Sequence, residues 1–159
     1  MSRLAAAAIG RHYYTDRQLA AAIDRLAKID PRLIAEESLY VAVLAEKIIG
    51  CGGWSRRGSL VADTVSAQLD APAAVQTGGA AALRAFFVHP DYARQGIASA
   101  LFRCCRKDAR RQGFHKLEVL ASAAAKQACL HFGFSAAEKK YLRFDDGVEL
   151  LSYRMSMRI

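Results

Sequence analysis

Arg94, Gln95 and Gly96 stand between an apolar run, residues 83–88, and a helix-forming stretch that begins at once. A strand that enters a helix through so short a turn leaves the first helical N–H groups without partners. Those donors, together with the positive end of the helix dipole, make a site for an anion, most naturally a phosphate. Gly96 lets the backbone come close to such a ligand, because no side chain holds it away. Ser99 adds a hydroxyl donor. One helix-terminus interaction contributes only about 0.3–1 kcal/mol, so several N–H groups must converge. A purely structural strand–helix connection would carry the same glycine, and the turn alone leaves both readings open.

Other side chains offer proton chemistry. Glu118 sits between Leu117 and Val119, so strand alternation places it on the opposite face from both. It reads either as an exposed carboxylate or as a base. Cys129 and Tyr141 carry weakly acidic groups, with reference pKa values near 8.5 and 10. A free cysteine is equally a small buried hydrophobe. His89, His115 and His131 are scattered and receive no role.

The elements that must position these groups follow from local pattern. Residues 3–14 are alanine-rich and read as helix or frayed chain. Thr15 and Gln18 form a capping box, and Leu19, Ile23 and Leu26 repeat at helical spacing. Asp30-Pro31 is expected to stop that helix. Residues 39–44 and 48–54 read as two strands joined near Glu46-Lys47. Gly50, Gly52 and Gly53 mark a bulge or a close approach in the second strand. Residues 55–80 read as a long loop, a length uncommon unless functional or mobile. Residues 83–88 form a central strand, and 96–112 the main helix with Gly113 at its C-terminus. A strand over 117–120, a short helix over 123–132 and a closing hairpin of 134–144 and 148–157 complete the chain.

The whole chain sets wider bounds. Its 159 residues can enclose a core as one domain, and 53% apolar with 24% charged residues is a globular composition. No apolar stretch is long enough to span a membrane, and residues 4–9 are too short a run for a signal peptide. Cys51, Cys104, Cys105 and Cys129 lack metal-ligand spacing, so no metal is expected and a reducing cytoplasm is the default. The net charge of +8 suits either nucleic acid or a phosphate-rich ligand. Interleaved aromatics and a recognised reading motif are lacking, which weighs against nucleic acid. Arg103, Arg106, Lys107, Arg110 and Arg111 fall on one side of the main helix, opposite Leu101, Cys105 and Ala109. They read as a solvated face, or as contacts for a ligand phosphate or an acidic partner. Trp54, with Arg56 and Arg57, either packs or borders a pocket.

Taken together, Val88-His89-Pro90 followed by Ala93-Arg94-Gln95-Gly96-Ile97-Ala98, with the later turn Phe132-Gly133-Phe134, resembles the core motif of the GNAT superfamily of acyl-CoA-dependent N-acetyltransferases. The resemblance covers about residues 40–157. Ala93 departs from the Gln or Arg usual at the first motif position, removing a side chain but no backbone donor. The resemblance implies a mixed, mainly antiparallel α/β sheet flanked by helices and splayed to hold acetyl-CoA. The implied layout is one domain: 1–38 a helical N-terminal part, 39–134 the cofactor-binding core and 135–159 the C-terminal hairpin. It implies that Arg94, Gln95, Gly96, Ile97, Ala98 and Ser99 bind the pyrophosphate. The backbone of Phe86, Phe87 and Val88 would pair with the pantetheine arm like an added strand, and the amide near Val88 would polarise the thioester carbonyl. Residues 55–80 and 135–147 would shape the acceptor pocket, and homodimers are common in the family.

The reaction so implied moves an acetyl group directly to a primary amine of a small molecule or peptide, in a ternary complex. Counting back from Gly133, Cys129 occupies the place of the family's usual proton-donating tyrosine; Tyr141 or water is the alternative acid. Glu118 lies where some members keep a general base. A lysine-like amine costs roughly 4–5 kcal/mol to deprotonate at neutral pH, and an α-amine about 1 kcal/mol, so an acceptor of lower pKa is easier to serve. Ala93 and Cys129 keep a rival in view, a non-catalytic acyl-CoA-binding or regulatory module. A basic nucleic-acid-binding domain is the remaining rival.

Overall fold

Short, strong local signals set most of the element ends. In the computed structural model, which describes residues 1–56, 79–144 and 146–159, the Thr15–Gln18 capping box is formed in both directions and starts helix α2 (Asp16–Leu26). It is preceded by α1 (Ser2–Gly10), so the alanine-rich residues read as helix or frayed chain are largely helical. Helix α2 ends at Leu26, before Asp30-Pro31. That pair instead starts α3 (Pro31–Ala35): Asp30 accepts a hydrogen bond from the Arg32 amide at 2.9 Å, and proline fills the first helical position, where its missing N–H costs nothing. The dipeptide that reads as a stop is a start.

Strands β1 (Leu39–Leu44) and β2 (Lys47–Ser55) form a hairpin turned by Ala45 and Glu46, with φ of 46° and 62°. Strand β3 (Ala80–Val88) leads through a short 3-10 turn, Pro90–Tyr92, into α4 (Ile97–Arg111). Strand β4 (Lys116–Ser122), helix α5 (Lys126–His131) and the hairpin β5 (Ser135–Arg143) and β6 (Glu149–Arg158) follow. The six strands make one sheet in the order β1-β2-β3-β4-β6-β5, antiparallel everywhere except between β3 and β4. This is the mixed, mainly antiparallel sheet expected.

Apolar residues cover both faces of the sheet. On one, Leu101, Phe102, Cys105 and Ala109 of α4 are buried, and Phe102, Cys105 and Ala109 pack with Trp54, Phe114, Leu117, Phe134 and Met155. Trp54 is 2% exposed, and its indole N–H donates to Asp108 at 3.0 Å, so its role is packing. The opposite side of α4 presents Arg103, Arg106, Lys107, Arg110 and Arg111 to solvent. On the other sheet face, Ala21 of α2 packs with Leu142, Phe144, Val148 and Leu150. Arg17 and Gln18 donate to the Asp146 and Glu149 carbonyls, which ties the start of α2 to the closing hairpin. No described helix is long and apolar enough to cross a membrane. Most of the long loop read over residues 55–80 lies outside the described residues, as does Arg57.

Candidate functional site at the parting of two central strands

The parallel pairing of β3 and β4 is brief. Ala80, Ala81 and Ala82 lie opposite Lys116, Leu117 and Glu118, and beyond them the ladder ends. Each strand keeps its outer partner: Val88 still pairs with Gly50 of β2, and Ser122 with Ser152 of β6. The two halves of the sheet therefore part in the middle, which opens the inner edge of residues 83–88.

A bulge in β3 accompanies the parting. Between the pairs Cys51–Phe87 and Gly53–Arg84, β3 carries one residue more than β2, and Ala85 takes φ of 54°. Such a bulge bends and twists its strand, turning β3 away from β4. Two details hold it. The Cys51 thiol donates to the Ala85 carbonyl at 3.2 Å. The Phe86 ring lies so close to Gly52 that a Cβ there would stand 2.8 Å from it. The glycines of β2 thus mark a close approach at Gly52, and β2 has an irregularity of its own beside Gly50, where Ile49 is an extra residue against β1.

The turn into α4 sits at the same end of β3. Arg94 and Gly96 have φ of 62° and 81°, and Gly96 is the N-cap. The first helical hydrogen bond runs from the Ala100 amide to the Gly96 carbonyl at 2.9 Å, so the amides of Ile97, Ala98 and Ser99 stand at the open end. A Cβ on Gly96 would meet no atom within 4 Å, so the space in front of the turn is open.

A cleft of about 2180 Å3 runs through the parting, well beyond the roughly 300–1000 Å3 of a site for one small ligand. Residues 83–88 and 119–122 line its middle. Toward one face it is bounded by the residue 96–99 turn and by α5, including Cys129; toward the other by α1, α2 and the start of α3.

The family model described as the Acetyltransferase (GNAT) family matches residues 7–134. The chain belongs to the GNAT acetyltransferase family. Among curated proteins no relative matches its sequence. Solved structures share the fold. A GCN5-related N-acetyltransferase from Rhodopseudomonas palustris superposes with a TM-score of 0.70 at 19% identity, over 99% of this chain and 84% of that one. The PaiA N-acetyltransferase of Thermoplasma acidophilum in complex with coenzyme A gives 0.63 at 12% identity, over 99% and 88%. An aminoglycoside 6′-N-acetyltransferase complexed with coenzyme A gives 0.56 at 10%, over 99% and 89%.

Within this GNAT fold the residues singled out from sequence separate into two groups. Phe86, Phe87, Val88, Arg94, Gly96, Ile97, Ala98, Ser99 and Cys129 all line the cleft. Gln95 belongs to the turn and donates from its side chain to the Asp91 carbonyl. Cys129 is buried, which pushes its thiol up to about 11, so it is protonated at neutral pH. Glu118 and Tyr141 stand apart. Tyr141 is 59% exposed on β5, opposite Leu151. Glu118 is buried outside the cleft lining, with Lys116 at 2.7 Å on one oxygen and Arg154 at 3.0 Å on the other. Burial raises its pKa, but the hydrogen bonds from Lys116 and Arg154 outweigh this and hold the carboxyl below the usual range.

Several cleft residues were not singled out. The Tyr14 hydroxyl donates to the Leu151 carbonyl at 3.0 Å and accepts from the Ala123 amide at 2.9 Å, fastening the segment between α1 and α2 to the ends of β4 and β6. Burial pushes its phenol up, against the lowering hydrogen bond from Ala123. Arg84, Asp30 and Arg32 line the wall on the α3 side. Arg84 had a visible signal, a lone charge inside the apolar stretch of β3. Tyr14 had none, because its partners lie more than a hundred residues away.

Proposed function

We propose that this GNAT protein is an N-acetyltransferase that moves the acetyl group of acetyl-CoA directly to the primary amine of a small molecule or peptide, in the cytoplasm. The observation that carries this reading is the coincidence of two features at one end of β3. The strand edge is free where it leaves β4, and the donor-rich turn opens α4 beside it. A phosphate-bearing chain held by the amides at 96–99 would lie along residues 86–88, pairing with their open edge as an added strand does. Acetyl-CoA supplies the activated acyl group when bound. The chain supplies alignment, which for well-oriented partners is worth about 7–11 kcal/mol of a barrier.

Proton handling rests on few groups. Cys129 faces the cleft as a neutral thiol. With its pKa at about 11, transfer to a thiolate of ordinary pKa near 8.5 is uphill by about 3 kcal/mol. Cys129 is therefore a weak donor, and in this reading the thiolate leaves without an acid and takes up, through solvent, the proton that the attacking amine releases as the C–N bond forms. Glu118, doubly ion-paired away from the cleft, acts in this reading as a tie between β4 and β6. An amine of pKa near 8, which loses its proton easily, is the acceptor such a site serves best.

Calorimetry with acetyl-CoA and a thiol-release screen against amines, amino acids, polyamines, aminoglycosides and peptides test the proposal. Saturable heat and acceptor-dependent thiol release are expected. Absence of heat with both acetyl-CoA and free CoA on folded protein would overturn it. Binding without turnover on any amine would favour the acyl-CoA-binding module instead.

A further inference from the structure

The parting of the sheet frees two strand edges, and the acyl-transfer reading uses only that of β3. The facing edge of β4 lines the same cleft through residues 119–122. Along a strand in an antiparallel ladder, backbone N–H and C=O groups point to alternate sides. In β4 every second residue therefore turns them towards β6, and the residues between turn them towards β3.

Tyr14 fixes which residues are which. The ladder between β4 and β6 is regular and ends at Ser122 opposite Ser152, so Ala123 and Leu151 are the next pair along it. The Tyr14 hydroxyl accepts from the Ala123 amide at 2.9 Å and donates to the Leu151 carbonyl at 3.0 Å, bridging that pair where a direct bond would continue the ladder. Ala123 thus faces β6, as do Ala121 and Val119, while Ser122, Leu120 and Glu118 face the other way. Glu118 lies in the last pair with β3, opposite Ala82, and the ladder stops there. The Ser122 carbonyl accepts from the Ala125 amide at 3.0 Å, which turns the chain towards α5. Among the described residues, the N–H and C=O of Leu120 and the N–H of Ser122 are left without a backbone partner. Leu120 is half-buried, and backbone groups withdrawn from water are nearly always paired in the working state of a protein.

We propose that the acceptor is a peptide whose backbone pairs with Leu120 on the inner edge of β4, so that peptide α-amines are preferred to simple amines of similar pKa. The inference rests on the acyl-transfer reading for its chemistry. A donor and an acceptor on one residue of an open edge are matched by the C=O and N–H of an extended chain, which adds as a strand. Protonated polyamines bring donors and no acceptor, and an amino-acid amide is too short to reach along the edge. The same cleft then holds the acyl carrier along β3 and the peptide along β4, with the terminal amine between them.

Matched acceptors test this: tetrapeptide amides that begin with alanine, serine, methionine, phenylalanine or lysine and continue with alanine, each against the amide of its own first residue. At least one tetrapeptide should exceed its amino-acid amide about 10- to 100-fold in kcat/KM, the range of two hydrogen bonds. In that tetrapeptide, an ester in place of each internal amide in turn should cost about fivefold or more at one linkage. Equal turnover of tetrapeptides and amino-acid amides, or indifference to every ester, overturns the proposal. Amide hydrogen exchange read by NMR on the CoA-bound protein tests the edge without turnover. The Leu120 amide should exchange faster than those of Val119 and Ala121, which bond to β6, and slow at least about tenfold when the tetrapeptides are added. If acetyl-CoA binds but nothing is acetylated, the acyl-transfer reading fails by itself and the exchange decides the edge. Slowing at Leu120 then sustains the peptide subsite, and an unchanged Leu120 overturns it.

Discussion

Replacing Gly96 with alanine separates the backbone strain of the turn from its ability to hold a ligand, because Gly113 provides a control at the other end of α4. The two glycines have φ of 81° and 87°, and at both an added Cβ meets no atom within 4 Å. Each alanine therefore suffers the same left-handed strain, about 1–2 kcal/mol, and for a chain of this size each kcal/mol lowers Tm by roughly 2–4 °C. The variants should melt alike. They differ in what lies in front of them. Gly96 lines the cleft at the open amides of α4, whereas Gly113 lies outside the lining. A methyl on Gly96 would take up part of the open space that, in the proposed reading, a phosphate fills. By calorimetry, Gly96→Ala should weaken acetyl-CoA binding at least tenfold, about 1.4 kcal/mol, while Gly113→Ala changes it less than twofold. Equal affinities in the two variants would refute the reasoning, since the amides at the turn would then not be what holds the ligand.

Glu118→Gln should leave the pH profile of kcat/KM unchanged, and loss of its acid limb would restore Glu118 as the base. The same variant should show a pH-dependent stability loss. Because the folded pKa of Glu118 is depressed, its contribution is complete above the unfolded value near 4.3 and disappears as pH falls through the folded value. Denaturant melts of the two proteins should converge at that acidic end. Asp108→Asn should lower the Tyr40 phenol from about 12, where burial and then the Asp108 hydrogen bond place it, as read by ultraviolet titration. A Tyr40 that titrates unchanged would break that link. Cys129→Ala should reduce kcat less than about fivefold in the thiol-release assay; a hundredfold loss at constant KM would make Cys129 the acid after all.

Wherever a few adjacent residues decide the backbone, the sequence was enough. The Thr15–Gln18 box, the Gly96 turn and the alternation of the hairpin strands are local, and each appears where its residues place it. Asp30-Pro31 was ambiguous for a physical reason: the same dipeptide that cannot continue one helix can cap and begin the next. The glycines of β2 announced a bulge or a close approach, and both occur there, but not the Phe86 ring that makes the approach, nor the second irregularity across the ladder at Ala85.

The cleft itself was decided by contacts between distant parts of the chain. Its walls come from the two strands that part after Ala82 and Glu118, and from helices that enter from the N-terminal residues. Alternation could put Glu118 opposite Leu117, but only the arrival of Arg154 from β6 fixes it as an ion-paired, buried group. Likewise Arg84 reads as a lone charge in an apolar strand until α3 brings Asp30 and Arg32 against it. Turn chemistry and hydrophobic period act over a few residues, and so the sequence determines them alone. Charge pairing, burial and the separation of two strands depend on which distant segments meet, and the tertiary structure decided those.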